Sequence, residues 1–197
     1  MYEILRAAAR VLLSLRFTYR VIDTHNVPQH GPVILAGNHL TAWDPLLVAC
    51  ALSRKVSYMA KKELFEIPIV GTCLLRVGQF PVRRGTVDRS AIKKAIEILS
   101  GGGALGIFPE GTRRKNGDAN PALTGVAYFA AKSGAQVVPV GITLGNGIRP
   151  SACVKFGRPM TFDNSQAKVA GHELDRQTAL VMHEIRALTG QGAEASR

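Results

Sequence analysis

A histidine followed five positions later by an aspartate, in Asn38-His39-Leu40-Thr41-Ala42-Trp43-Asp44, is the first feature of this chain that could do chemistry. An imidazole can take a proton from an alcohol because its unperturbed pKa, about 6.5, lies close to working pH. A carboxylate such as Asp44 can hold one tautomer of that ring and stabilise the imidazolium that forms. No Gly-x-Ser-x-Gly elbow occurs anywhere in the chain, so the nucleophile need not belong to the protein. The arrangement that fits is a two-residue base acting directly on a substrate hydroxyl. The same residues have a plainer use. Thr41 and Asp44 form a Thr-x-x-Asp pair of the capping-box kind, and a lone histidine can be a satisfied loop residue. On spacing alone both uses stand.

Three further segments carry functional side chains. In Phe108-Pro109-Glu110-Gly111-Thr112-Arg113, Gly111 permits close backbone approach and Arg113 offers a planar fork suited to a phosphate. Glu110 can accept from a substrate hydroxyl or orient the arginine; an ordinary charged loop is the alternative. The run Gly78-Gln79-Phe80-Pro81-Val82-Arg83-Arg84 ends a strand in two arginines, either a second phosphate clamp or a solvated strand end. Val137-Val138-Pro139-Val140-Gly141-Ile142 reads as a core strand whose proline predicts an edge or a bulge.

In this order and spacing the four segments, spanning residues 38 to 142, resemble the glycerolipid acyltransferase family, and within it the enzymes acting on 1-acylglycerol 3-phosphate. That family carries Asn-His-x4-Asp, then a Gly-x5-Arg block, then Phe-Pro-Glu-Gly-Thr-Arg, then an apolar block with proline. The resemblance implies transfer of a fatty acyl group from an acyl thioester, carried on coenzyme A or acyl carrier protein, to the sn-2 hydroxyl of 1-acylglycerol 3-phosphate. The product would be phosphatidic acid, in phospholipid biosynthesis. It implies His39 as general base and Asp44 as its partner. Arg83 and Arg84 would bind the acceptor phosphate, and Glu110, Gly111, Thr112 and Arg113 the glycerol phosphate. No metal and no cofactor beyond the thioester co-substrate is expected. Arg83 stands where many relatives have an acidic residue, and Leu123 where many have Lys or Arg; Arg114 and Lys115 lie close by. Leu123 leaves another lysolipid or a glycolipid as the alternative acceptor. A non-catalytic membrane-surface protein is the reading outside enzymes, and intact His39 and Asp44 speak against it.

Such residues need a frame, and the hydrophobic pattern supplies one. Short apolar runs at Val33–Ala36, Val56–Ala60, Gln79–Val82, Ala104–Phe108, Val137–Ile142 and Ala152–Phe156 read as strands. Helical stretches at Pro45–Leu52, Glu63–Arg76 (broken near Pro68 and Gly71), Ser90–Leu99, Thr124–Lys132 and Glu173–Leu188 alternate with them. The prediction is a single α/β domain with a largely parallel or mixed sheet flanked by helices. In such sheets reactive residues sit in loops beyond the carboxyl ends of strands, and His39, Arg83 and Glu110 all fall there.

With 197 residues the chain can build one domain. We expect an N-terminal basic amphipathic helix over residues 1–25, an acyltransferase domain over 26–189 and a flexible tail over 190–197. Ile4, Leu5, Ala8, Val11, Leu12, Leu15 and Tyr19 recur at steps of three and four, with Arg6, Arg10, Arg16 and Arg20 largely off that face. A helix of this kind can lie in a membrane interface with its arginines at lipid phosphates, or dock on the protein's own core. No run approaches the ~20 apolar residues of a spanning helix. The formal net charge of +11 favours anionic partners. Those expected are an anionic membrane surface, the lysophospholipid and the donor, with the protein at the cytoplasmic face of the cell membrane. Aromatic content of 6% and the lack of a zinc or RNA-recognition signature argue against nucleic acid. Three cysteines, Cys50, Cys73 and Cys153, lie far apart and suit buried thiols of a reducing compartment.

Overall fold

Apolar runs alternating with amphipathic stretches fold here into three layers, helices on both faces of one sheet. The computed structural model describes residues 2–83, 85–111, 124–162 and 171–190. Among them the strands are β1 Thr18–Ile22, β2 Val33–Gly37, β3 Val56–Lys61, β4 Phe80–Val82, β5 Ala104–Ile107, β6 Gln136–Leu144 and β7 Ser151–Phe156. The helices are α1 Tyr2–Arg16, α2 Asp44–Ala51, α3 Val70–Arg76, α4 Arg89–Ser100, α5 Gly125–Ser133 and α6 Gly171–Leu188. The sheet order is β1-β7-β6-β2-β5-β3-β4. Every pairing is parallel except β6 with β7. The predicted mixed sheet is therefore present, and the pattern had placed six of its seven strands.

Central strand β2 is buried along its whole length, as a strand covered on both faces must be. Its side chains alternate between two cores. Val33 and Leu35 pack with Ala9, Leu13, Leu47 and Val48 beneath α1 and α2. Ile34 and Ala36 pack with Leu99, Val126, Val181 and Ile185 beneath α4, α5 and α6. The chemistry lies on the first of these faces.

The N-terminal helix is shorter than its periodicity suggested. It stops at Arg16, and Thr18–Ile22 pairs in parallel with Ser151–Lys155 at the sheet edge. Tyr19 continues the three-and-four spacing, but Thr18, Tyr19, Val21 and Ile22 are β-formers beside an open ladder, and tertiary pairing wins. The helix docks through Ala9 and Leu13, and leaves the broader stripe in solvent: Ile4 is 70% and Leu15 73% exposed, with Val11 and Leu12 beside them. Arg6 and Arg10 turn towards the protein. Arg6 donates to the carbonyls of Leu52 and Ser53, and Arg10 to that of Cys50, at 2.7–3.0 Å. They thereby serve the carbonyls of Cys50 in the last turn of α2 and of Leu52 and Ser53 just beyond it, where cations are favoured by the helix dipole.

Pro139 sits in an interior strand, between β2 and β7, not on an edge. The antiparallel ladder with β7 begins at Val140 opposite Phe156, and the Pro139 carbonyl accepts from Gly157 N at 2.8 Å. Its missing N–H thus falls beyond the end of that ladder, where no partner is lost.

Candidate active site

The loop after β2 is held at both ends. Asn38, directly beyond Gly37, exchanges two hydrogen bonds with the Ile142 backbone of β6: its Nδ2 donates to the carbonyl at 2.8 Å and its Oδ1 accepts from the N–H at 2.7 Å. Asp44, the first residue of α2, is fully buried, at 0% exposure. Its carboxylate accepts four times. Oδ2 takes His39 Nδ1 at 2.8 Å, Leu40 N at 2.6 Å and Thr41 N at 2.7 Å, and Oδ1 takes the Thr41 hydroxyl at 2.8 Å. The turn-closing use and the histidine-holding use foreseen as alternatives are thus the same carboxylate. With Nδ1–H committed to Asp44, the tautomer that fits leaves the lone pair on Nε2.

Packing fixes the other side of the ring. His39 stacks on Phe108 with centroids 4.1 Å apart and planes inclined by 13°, and Tyr58 stacks beyond on the same Phe108 at 5.5 Å and 17°. Tyr58 of β3 lies opposite Gly106 of β5 in the parallel register. A β-carbon at Gly106 would come within 2.0 Å of the Tyr58 ring, so only glycine admits the stack. Gly106→Ala is expected to cost about 1–3 kcal/mol by overpacking, because the displaced Tyr58 pushes on Phe108 and so on His39. Thermal unfolding of the purified variant checks this; a variant with wild-type Tm would contradict it.

His39 lines a mostly apolar cavity of about 1040 Å³. Its walls come from α1 (Tyr2, Leu5), α2 (Leu46, Ala49), β3 and the segment around α3. This volume is large enough for a lipid chain. Glu110, buried, and Gly111, at φ 69°, reach the same cavity from the turn after β5. Exposed Arg83 reaches it from the end of β4. The Arg83 backbone N–H donates to Asp88 Oδ2 at 2.9 Å. Asp88 also caps α4 by accepting from Ser90 N and Ala91 N. The Ser90 hydroxyl, then these backbone donors, hold the Asp88 carboxyl down at about 2. Arg84, Thr112 and Arg113, with Arg114, Lys115 and Leu123, lie outside the described residues.

Cys50 also lines the cavity. Burial pushes its thiol up, only partly offset by Arg10 and Arg6, so it is poorly suited to act as a thiolate nucleophile. Among the described residues no three His, Cys, Asp or Glu side chains gather as a metal site. A base, a partner carboxylate and a mostly apolar cavity that Arg83 reaches can activate a hydroxyl beside a bound lipid chain. Tyr58 and Gly106 belong to no motif; the only sequence sign was an isolated glycine inside a buried strand, which marks a close approach.

The model of the acyltransferase family matches residues 18–143, and the chain belongs to that family. It is 35% identical over 122 residues to the 1-acyl-sn-glycerol-3-phosphate acyltransferase of Borreliella burgdorferi, covering 61% of this chain and 49% of that one. It is 34% identical over 140 residues to the enzyme of the same name from Bacillus subtilis, covering 71% and 69%. The chain thus spans about half the length of the first relative. The crystal structure of the 1-acyl-sn-glycerophosphate (LPA) acyltransferase, PlsC, from Thermotoga maritima has the same fold. It superposes with a TM-score of 0.76 at 22% identity, over 100% of this chain and 80% of that one.

Proposed function

We propose that the chain transfers a fatty acyl group from an acyl thioester to the sn-2 hydroxyl of 1-acylglycerol 3-phosphate, giving phosphatidic acid. The observation that carries this is the His39–Asp44 pair, joined at 2.8 Å, on the wall of an apolar cavity of about 1040 Å³. The names of the relatives from Borreliella burgdorferi and Bacillus subtilis supply the acceptor.

In this account His39 Nε2 takes the acceptor's hydroxyl proton as the oxygen attacks the thioester carbonyl. The tetrahedral intermediate collapses, the carbon–sulfur bond breaks, and His39 returns the proton to the departing sulfur. Asp44 keeps the ring in register and stabilises the imidazolium. No acyl-enzyme forms. The thioester, on coenzyme A or acyl carrier protein, is a co-substrate, and no other cofactor is invoked. Arg83, with Arg84, would bind the acceptor phosphate, and Glu110, Gly111, Thr112 and Arg113 the glycerol phosphate. The protein would work on an anionic membrane surface at the cytoplasmic face. The exposed Ile4, Val11, Leu12 and Leu15 stripe of α1 supports the membrane-surface part of that placement. No helix among the described residues is long and apolar enough to cross a membrane.

Purified protein offered lysophosphatidic acid, glycerol 3-phosphate and lysophosphatidylglycerol in turn, with coenzyme A and carrier-protein donors, separates the possibilities. Phosphatidic acid from the first acceptor alone is the expected product by mass. Acylation only of another lysolipid would move the assignment to that acceptor.

A further inference from the structure

Between β3 and β4 the chain presents a second apolar surface that no catalytic role accounts for. A 3-10 turn at Lys62–Phe65 leads to Ile67-Pro68-Ile69-Val70, and α3 follows. Leu64, Ile67, Ile69, Val70 and Leu75 are all exposed; Ile69 is 79% and Leu75 61% exposed. So many large apolar side chains on one short segment form a patch of the kind that marks a binding surface.

Its backbone is unusual as well. Ile69 sits at φ 66°, ψ −56°, and Val70 N donates across it to the Pro68 carbonyl at 2.7 Å. That is a γ-turn of the rare, strained form, centred on a β-branched residue that disfavours positive φ. Gly71 N, donating to the Ile67 carbonyl at 2.9 Å, closes the turn from the other side. Strained backbone of this kind clusters at functional sites.

We propose that Ile67–Val70 is a wedge that enters the lipid leaflet beside the cavity, a second membrane footing distinct from α1. This rests on the lipid-acyltransferase reading above. Lys61, Leu64, Leu74 and Val77 from this segment line one side of the cavity, while Tyr2, Leu5 and Ala9 of α1 line another. Both elements therefore turn inner apolar side chains to the cavity and outer ones to solvent. A bilayer is the partner that would cover both outer surfaces and also deliver the chain that fills the space between them. The wedge carries little charge of its own, since Lys61 pairs with Glu63 at 3.5 Å and Lys62 with Glu66 at 3.6 Å. Its contribution is thus to apolar insertion, independent of anionic headgroups.

Ile69→Gly tests this without risking the fold, because glycine accepts the positive φ that isoleucine resists. Purified wild type, Ile69→Gly and Ile69→Trp are sedimented with phosphatidylcholine vesicles, with and without phosphatidylglycerol. The glycine variant should keep or raise the wild-type Tm, and should partition roughly tenfold more weakly into vesicles of both compositions. Ile69→Trp should partition at least as well as wild type. Transfer to a water-soluble short-chain acceptor should be unchanged in both. Equal partitioning of wild type and Ile69→Gly would overturn the wedge while leaving the catalytic proposal intact. So would a loss of self-association on gel filtration with no change in vesicle binding, which would assign the patch to a second copy. Absence of transfer to every acceptor by the wild type would overturn the enzyme reading, and the vesicle comparison would still decide the wedge.

Discussion

His39→Ala should lower kcat/KM for acyl transfer by about a thousandfold while the protein stays folded. Proton transfer by a positioned group is worth ~10²–10⁴-fold, and among the described residues no second histidine lines the cavity. The fold should survive for a specific reason. Asp44 loses one donor of four and keeps Leu40 N, Thr41 N and the Thr41 hydroxyl, so the buried carboxylate is not stranded. The space left by the ring opens into the existing cavity and creates no sealed void. Unchanged circular dichroism with activity below about a thousandth is the expected pair of results. More than about a tenth of wild-type activity would remove His39 from the role of base.

Asp44→Ala should be worse for the fold than for any other property. It strands up to four donors around a site of 0% exposure, and each donor left without an acceptor costs about 1–3 kcal/mol when buried. A loss of about 3–5 kcal/mol is a large share of the ~5–15 kcal/mol that holds a typical domain together. We therefore expect poor yield or a sharply lowered urea midpoint. Asp44→Asn separates stability from chemistry. Its carbonyl can still accept from part of the set, while its amide meets donors only, and the histidine loses the acceptor that selects its tautomer. The expected result is a smaller loss of stability and a fall in kcat of about 10³–10⁴-fold. An Asn variant with wild-type kcat would show that Asp44 only closes the turn.

How much of this was readable in advance differs between the site and its supports. The His39–Asp44 contact was legible because both groups lie in one short loop before a helix, where spacing alone brings them together. The strands and helices that present them followed from periodicity because each is long or strongly apolar. Features depending on contacts between distant segments were not legible. The His39–Phe108–Tyr58 stack requires β3 to lie beside β5 in a particular register, with Gly106 opposite Tyr58. Residues Thr18–Ile22 read as helix because their spacing continued that of α1, and only the exposed edge of β7 decided otherwise. The roles of Arg6 and Arg10 at the end of α2 were hidden for the same reason, being set by the docking angle of α1 and not by its composition. Pro68 and Gly71 marked a break in the helical stretch, but not the positive φ at Ile69, since a β-branched residue is the last one expected there.

The central claim is a direct transfer in which the substrate's own hydroxyl is the nucleophile. It is tested most directly by following thioester cleavage and lipid product together, in one reaction of purified protein, a long-chain acyl thioester and 1-acylglycerol 3-phosphate. Thiol release should match phosphatidic acid formation one for one, and intact-protein mass spectrometry should find no acylated protein when the acceptor is withheld. Acylated protein formed from the donor alone, or thiol released without phosphatidic acid, would contradict it.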